Sequence, residues 1–195
     1  MRLQVLSSPK SLLAASLSRL LPPAAVLLVI LVAAAAKAGL SLLGIAVLAL
    51  GTIVLPGVVY KSFPWIARSL DIPLKLKTAI VSSLIVTGTI LVVLLRVPHP
   101  VFETLASLIL GNILLAVARM WLNASAHVSV LTFGVLWWVL AFGPVFAWLL
   151  VLPPLMVYSR TSLRQHTLTQ TLVGATIGVA TFGAFLGISI WSGTS

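Results

Sequence analysis

Seven apolar runs fill most of the chain, at residues 21–36, 38–60, 78–95, 100–118, 128–142, 144–158 and 167–191. Several approach the roughly 20 residues needed to cross the hydrocarbon core of a bilayer. A backbone surrounded by lipid must close its hydrogen bonds within each segment, so such runs fold as helices. The expected fold is all-α, a polytopic transmembrane helix bundle with six or seven spans, forming one integral membrane domain over residues 1–195. The count turns on the first two runs, which Lys37 alone separates; the first is either a span or a re-entrant or interfacial segment. Residues 1–20, "MRLQVLSSPKSLLAASLSRL", have the amphipathic look of a segment lying on a membrane surface. Arg2, Lys10 and Arg19 ahead of an apolar stretch would also fit a secretory signal peptide.

Hydrophobic residues make up 61% of the chain and charged ones 7%, and there is no cysteine, which excludes disulfides, thiolate metal sites and thiol catalysis. Twelve basic residues stand against two acidic ones. In a soluble domain that balance would suggest a nucleic-acid partner. Here the basic residues are spread over the junctions between apolar runs and form no continuous stripe, so no nucleic acid is expected. Membrane lipids, and a phosphate-bearing lipid in particular, are the natural partners. Nothing in the sequence speaks to oligomeric state.

Two spans return a chain to the same side of the membrane. The segment 61–77 ("KSFPWIARSLDIPLKLK"), the junction 119–127 ("RMWLNASAH") and the junction 159–166 ("SRTSLRQH") therefore share one face, and seven spans would add the amino terminus to it. That face would carry ten of the twelve basic residues, leaving Lys37 and Arg96 opposite. With six spans the division becomes seven against five. Basic residues collect on the cytoplasmic side of membrane proteins, and they collect equally around a phosphate site.

The polar stretch "SRTSLRQHTLTQ", residues 159–170, carries Ser159-Arg160, five residues, His166, three residues, Gln170. This spacing resembles the third motif of the type 2 phosphatidic acid phosphatase family, S-R-x5-H-x3-D, with glutamine in place of aspartate. "ASAH" at 124–127 resembles the second motif, P-S-G-H, keeping Ser125 and His127. The first motif, K-x6-R-P, has two candidate positions. Lys61 and Arg68 have its spacing, with Ser69 where proline would stand; alternatively "LDIPLKLK" at 70–77, with Lys75, resembles the short loop of divergent members, and Arg119 lies just ahead of the second motif. The resemblance covers about residues 61–180.

The residue types suit phosphoryl transfer whatever the family. Arginine meets phosphate oxygens with a fixed fork of donors, and histidine exchanges protons or attacks near neutral pH. His166 and Gln170, four residues apart at the start of a helix, share a face, so the glutamine oxygen can fix the tautomer of the ring. The resemblance implies that His166 is the nucleophile that forms a phosphohistidine and that His127 protonates the leaving group. It implies too that Arg160, Ser125 and the nearby basic residues Arg119, Lys75, Lys61 and Arg68 hold the phosphate. No metal and no cofactor is implied; the two carboxylates, Asp71 and Glu103, are expected on opposite faces. Interfacial anchoring is the competing role for Arg160 and Arg164. The expected activity is hydrolysis of a lipid phosphate or diphosphate, isoprenyl or phosphatidyl in type. The loss of aspartate, proline and glycine from the motifs favours instead a non-catalytic lipid-phosphate-binding or structural subunit.

Overall fold

The computed structural model describes residues 9–69, 87–88 and 97–193. Among them there are helices and no strand. In chain order they are α1 (Pro9–Leu20), α2 (Pro23–Lys37), α3 (Leu42–Ser69), α4 (Val101–Ala118), α5 (Ala126–Phe142), a 3-10 stretch (Pro144–Val151) that runs into α6 (Leu152–Ser162), and α7 (Leu168–Trp191). Four of these, α3, α4, the continuous Pro144–Ser162 and α7, are long and apolar enough to cross a membrane; α1 and α2, bent by 43° at their junction, would together make a fifth. The helices wear large apolar side chains on the outside: on α3, Leu42 is 86% exposed, Leu43 75% and Trp65 73%. A surface of that kind is stable against hydrocarbon and costly against water. The apolar run 78–95 lies outside the described residues, apart from Thr87 and Gly88.

Three boundaries differ from the sequence expectation. The break between the first two runs falls on residues 38–41, where Gly39 takes a left-handed conformation (φ +71°), not at Lys37 alone. The second run does not end at residue 60: α3 continues through "KSFPWIARS" to Ser69, so Lys61 and Arg68 sit on a helix and not in a loop. Pro64 does not stop it, because Pro56, Phe63 and Ala67 keep one buried stripe running down the helix. The helix had already widened into a π segment over Leu50–Val54, just ahead of Pro56, a residue that lacks the amide for a regular ladder. Lastly, Ser159, Arg160, Thr161 and Ser162 form the last turn of α6 and do not belong to the junction.

The chain divides into two compact units, Met1–Ile30 with Ser107–Ser195, and Leu31–Ala106. In the second, His99 Nδ1 lies 2.9 Å from Oε1 of the buried Glu103 one turn into α4. The first is built around α5, whose Val128, Leu131 and Val135 bury against Met156 of α6. Its most extensive packing is on α7. Glycine makes that possible: a Cβ at Gly174 would lie 2.6 Å from the Ser125 carbonyl oxygen, and one at Gly178 would lie 2.5 Å from that of Ser129. The backbones of α5 and α7 therefore touch with no side chain between them, as small residues permit between membrane helices. Gly183 and Gly187, spaced in the same way on α7, have nothing within 4 Å of their Cβ positions.

Alanine at Gly174 or Gly178 should therefore cost roughly 1–3 kcal/mol, the range for overpacking against an unyielding neighbour, and lower the thermal unfolding midpoint of the purified protein. Gly183→Ala and Gly187→Ala should leave it unchanged. Equal effects from all four would mean that α7 meets α5 through another face.

Candidate functional site

The start of α7 is set by a capping box. Thr167 is the N-cap; its hydroxyl accepts from Gln170 N (3.3 Å), and Gln170 Oε1 accepts from Thr167 N (3.0 Å). This orients the Gln170 amide, because only its oxygen can accept from a backbone amide. The same oxygen lies 3.3 Å from His166 Nδ1, and the backbone carbonyl of Asn123 lies 3.1 Å from that nitrogen. Facing two acceptors, Nδ1 must carry the ring proton. Nε2 is left with the free lone pair of a nucleophile.

His166 is held equally firmly by its backbone. The carbonyl of Arg160 accepts from both Gln165 N (3.1 Å) and His166 N (3.3 Å), while Arg164 N donates to the Thr161 carbonyl. Closing the chain this tightly puts Arg164 in the left-handed region (φ +52°). The five-residue gap between Arg160 and His166 is thus one helix ending plus one turn, and it brings the two residues together.

α5 begins beside them. Ser125 is its N-cap and its amide donates to the Gln170 carbonyl (3.1 Å). The close approach at Gly174 allows that bond, so the glycine that packs the two helices also sets the site. Arg119 Nε donates to the Ala124 carbonyl (3.4 Å), holding the segment that carries Asn123 and Ser125. Opposite, α1 packs on α6: Ser159 Oγ donates to the Ala14 carbonyl (2.5 Å) and Arg160 Nη1 to Ser18 Oγ (2.7 Å).

His127 lies between these elements, in the first turn of α5 ahead of the apolar run that begins at Val128. It is half-buried, and Arg160 and His166 both lie near enough to act on its ring electrostatically. Two donors around it have no partner: the fully buried Ser125 Oγ and the buried Nε of Arg160. A buried donor left unmet costs about 1–3 kcal/mol. An acceptor brought to either donor would remove that cost.

Six of the residues singled out from the sequence, Arg119, Ser125, His127, Arg160, His166 and Gln170, therefore collect at one end of the first unit, with Arg119 engaged by a backbone carbonyl. Lys61 and Arg68 lie on α3 in the other unit, seven residues apart along one helix. Lys75 lies outside the described residues. Ser18, the Asn123 carbonyl and Thr167 were not foreseen. Thr167 has a readable signal, the T-x-x-Q of a capping box; Ser18 has none, since its role depends on where α1 docks.

Compared with protein-family models, curated proteins and solved structures, the chain matches none, and the roles of these side chains rest on their geometry.

Proposed function

We propose that this chain is a multi-pass protein of the cell membrane that hydrolyses a lipid phosphate or diphosphate through a histidine nucleophile, a divergent relative of the type 2 phosphatidic acid phosphatases. The observation that carries the reading is the pair of acceptors, the Asn123 carbonyl and Gln170 Oε1, on His166 Nδ1. They assign the ring proton to Nδ1 and leave Nε2 as the nucleophile, with the Arg160 backbone bonded to His166 and its guanidinium available for phosphate oxygens. His127 gives a proton to the leaving oxygen. Attack by Nε2 on phosphorus breaks the bond to the lipid oxygen; water then attacks the phosphohistidine and releases phosphate.

The span count follows the same reading. To the five spans available among the described helices, α5 adds 17 residues, about 25 Å long. The apolar run 78–95 would be a seventh, or the sixth if α1 and α2 lie along the surface.

Gln170 bears on both catalysis and binding. It supplies orientation but no negative charge to stabilise an imidazolium, and this neutrality favours the second reading, a subunit that binds lipid phosphate without turnover. Its oxygen also caps α7, so aspartate, one methylene shorter, would sacrifice the capping box, whereas glutamate keeps the reach and adds the charge.

Phosphate release from a detergent-solubilised lipid monophosphate tests the proposal. Turnover should continue in EDTA, fall at least about 10³-fold in His166→Ala and be kept or raised in Gln170→Glu. Turnover undiminished in His166→Ala would overturn the nucleophile. If neither the natural chain nor Gln170→Glu releases phosphate while Arg160→Ala weakens lipid-phosphate binding, the binding subunit is the better account.

A further inference from the structure

An apolar groove of about 370 Å³ opens near the polar cluster, and three segments contribute to both. On α5, His127 belongs to the cluster, while Leu131, one turn later, and Trp138, two turns beyond that, line the groove. Residues spaced by 4 and 11 lie on one helix face. On α6, successive four-residue steps back from Arg160 reach the buried Met156 and then Leu152, which lines the groove. In the first segment, Ser18 bonds Arg160, and Leu20 and Leu21 begin the groove two and three residues on. Each of the three thus passes from a polar residue at the cluster to apolar residues beyond it.

The groove's dimensions suit one occupant. A volume of 370 Å³ holds about a dozen groups of the size of a water or methylene. The distance from His127 to Trp138 along α5 is about 16 Å. Apart from Gly134, every lining residue has an aliphatic or aromatic side chain. Gly134 keeps the groove narrow, because it brings α2 close: a Cβ there would lie 2.8 Å from Ile30 Cδ1 and 3.0 Å from Val26 Cγ1. An apolar slot that begins one helix turn from unpartnered donors fits a molecule with one hydrocarbon chain on a phosphate.

The geometry points to a single-chain lipid phosphate as the ligand, with its phosphate among Ser125, His127 and Arg160 and its chain in the groove toward Trp138. This rests on the phosphate site proposed above for the head group, while the chain's place rests on the groove's own lining. A diacyl phosphate would leave its second chain without a slot. Selectivity between the two lipid classes is therefore set by α2, α5 and the Pro144–Val151 stretch, away from the reacting atoms.

Photolabelling separates these parts. A dodecyl phosphate with a diazirine at the chain end, irradiated with the full chain in nanodiscs, should label Trp138, Phe146 or Trp148 at the far end of the groove. Labelling should fall at least tenfold in Ala25→Trp and in Val29→Trp, two variants that fill the groove from α2; Val29 is half exposed, so the second is expected to fold even if the first does not. It should also fall about tenfold in Arg160→Ala and with the corresponding diazirine alcohol. Unlabelled dodecyl phosphate should compete at least tenfold better than a diacyl phosphatidate. Labelling that is spread over outward-facing residues of α3, or that ignores the filling variants or the head group, would overturn the proposal, and so would equal competition by the diacyl lipid. If labelling follows the expected pattern but no phosphate is released, the hydrolytic reading fails and the groove stands; release without groove labelling has the opposite meaning.

Discussion

The Ser125 amide donates to the carbonyl of Gln170, and the candidate site depends on that bond more than on any other. It ties the first residue of α5 to the first turn of α7 and can form only because residue 174 has no side chain. Once the two helix starts are joined, the Asn123 carbonyl comes within reach of His166, and His127 is brought between His166 and Arg160. A membrane core supplies little hydrophobic force between helices, so close backbone packing and interhelical hydrogen bonds must hold such a junction. Here both act at the same place.

The position of Gln170 shows how one side chain serves stability and chemistry together. Its oxygen accepts from Thr167 N to start α7 and from His166 Nδ1 to set the ring. An aspartate at residue 170 would add charge, which the cluster lacks; the Asn123 carbonyl shares the orienting role with Gln170. The cluster has two buried donors without partners, and the proposed phosphate would bring acceptors to this end of the unit.

Much of this was legible in the sequence, for reasons that differ by element. α4 and α7 begin and end within one residue of their apolar runs, because Pro100 and Thr167 punctuate them. The pairing of His166 with Gln170 followed from a spacing of four at a helix start. In the sequence Lys61 and Pro64 look like the end of α3, while the buried stripe through Phe63 and Ala67 carries it on. The last turn of α6 has the polar residues of a loop, and nothing local shows that Ser159 is buried against α1. Ser18 and the Asn123 carbonyl escaped for the same reason: each acts through a neighbour far away in sequence, and a backbone carbonyl has no signature in residue type. The orphaned donors, too, are properties of packing and not of composition.

The central claim is that His166 attacks through Nε2 because its other nitrogen is held as a donor. Rapid acid-free quenching of the protein during turnover of a radiolabelled lipid phosphate, followed by peptide mapping that distinguishes the two phosphohistidine isomers, tests it directly. The account requires label on His166 at Nε2, and none in His166→Ala. Label on Nδ1 of His166, label on His127, or turnover with no covalent phosphate at all would contradict it.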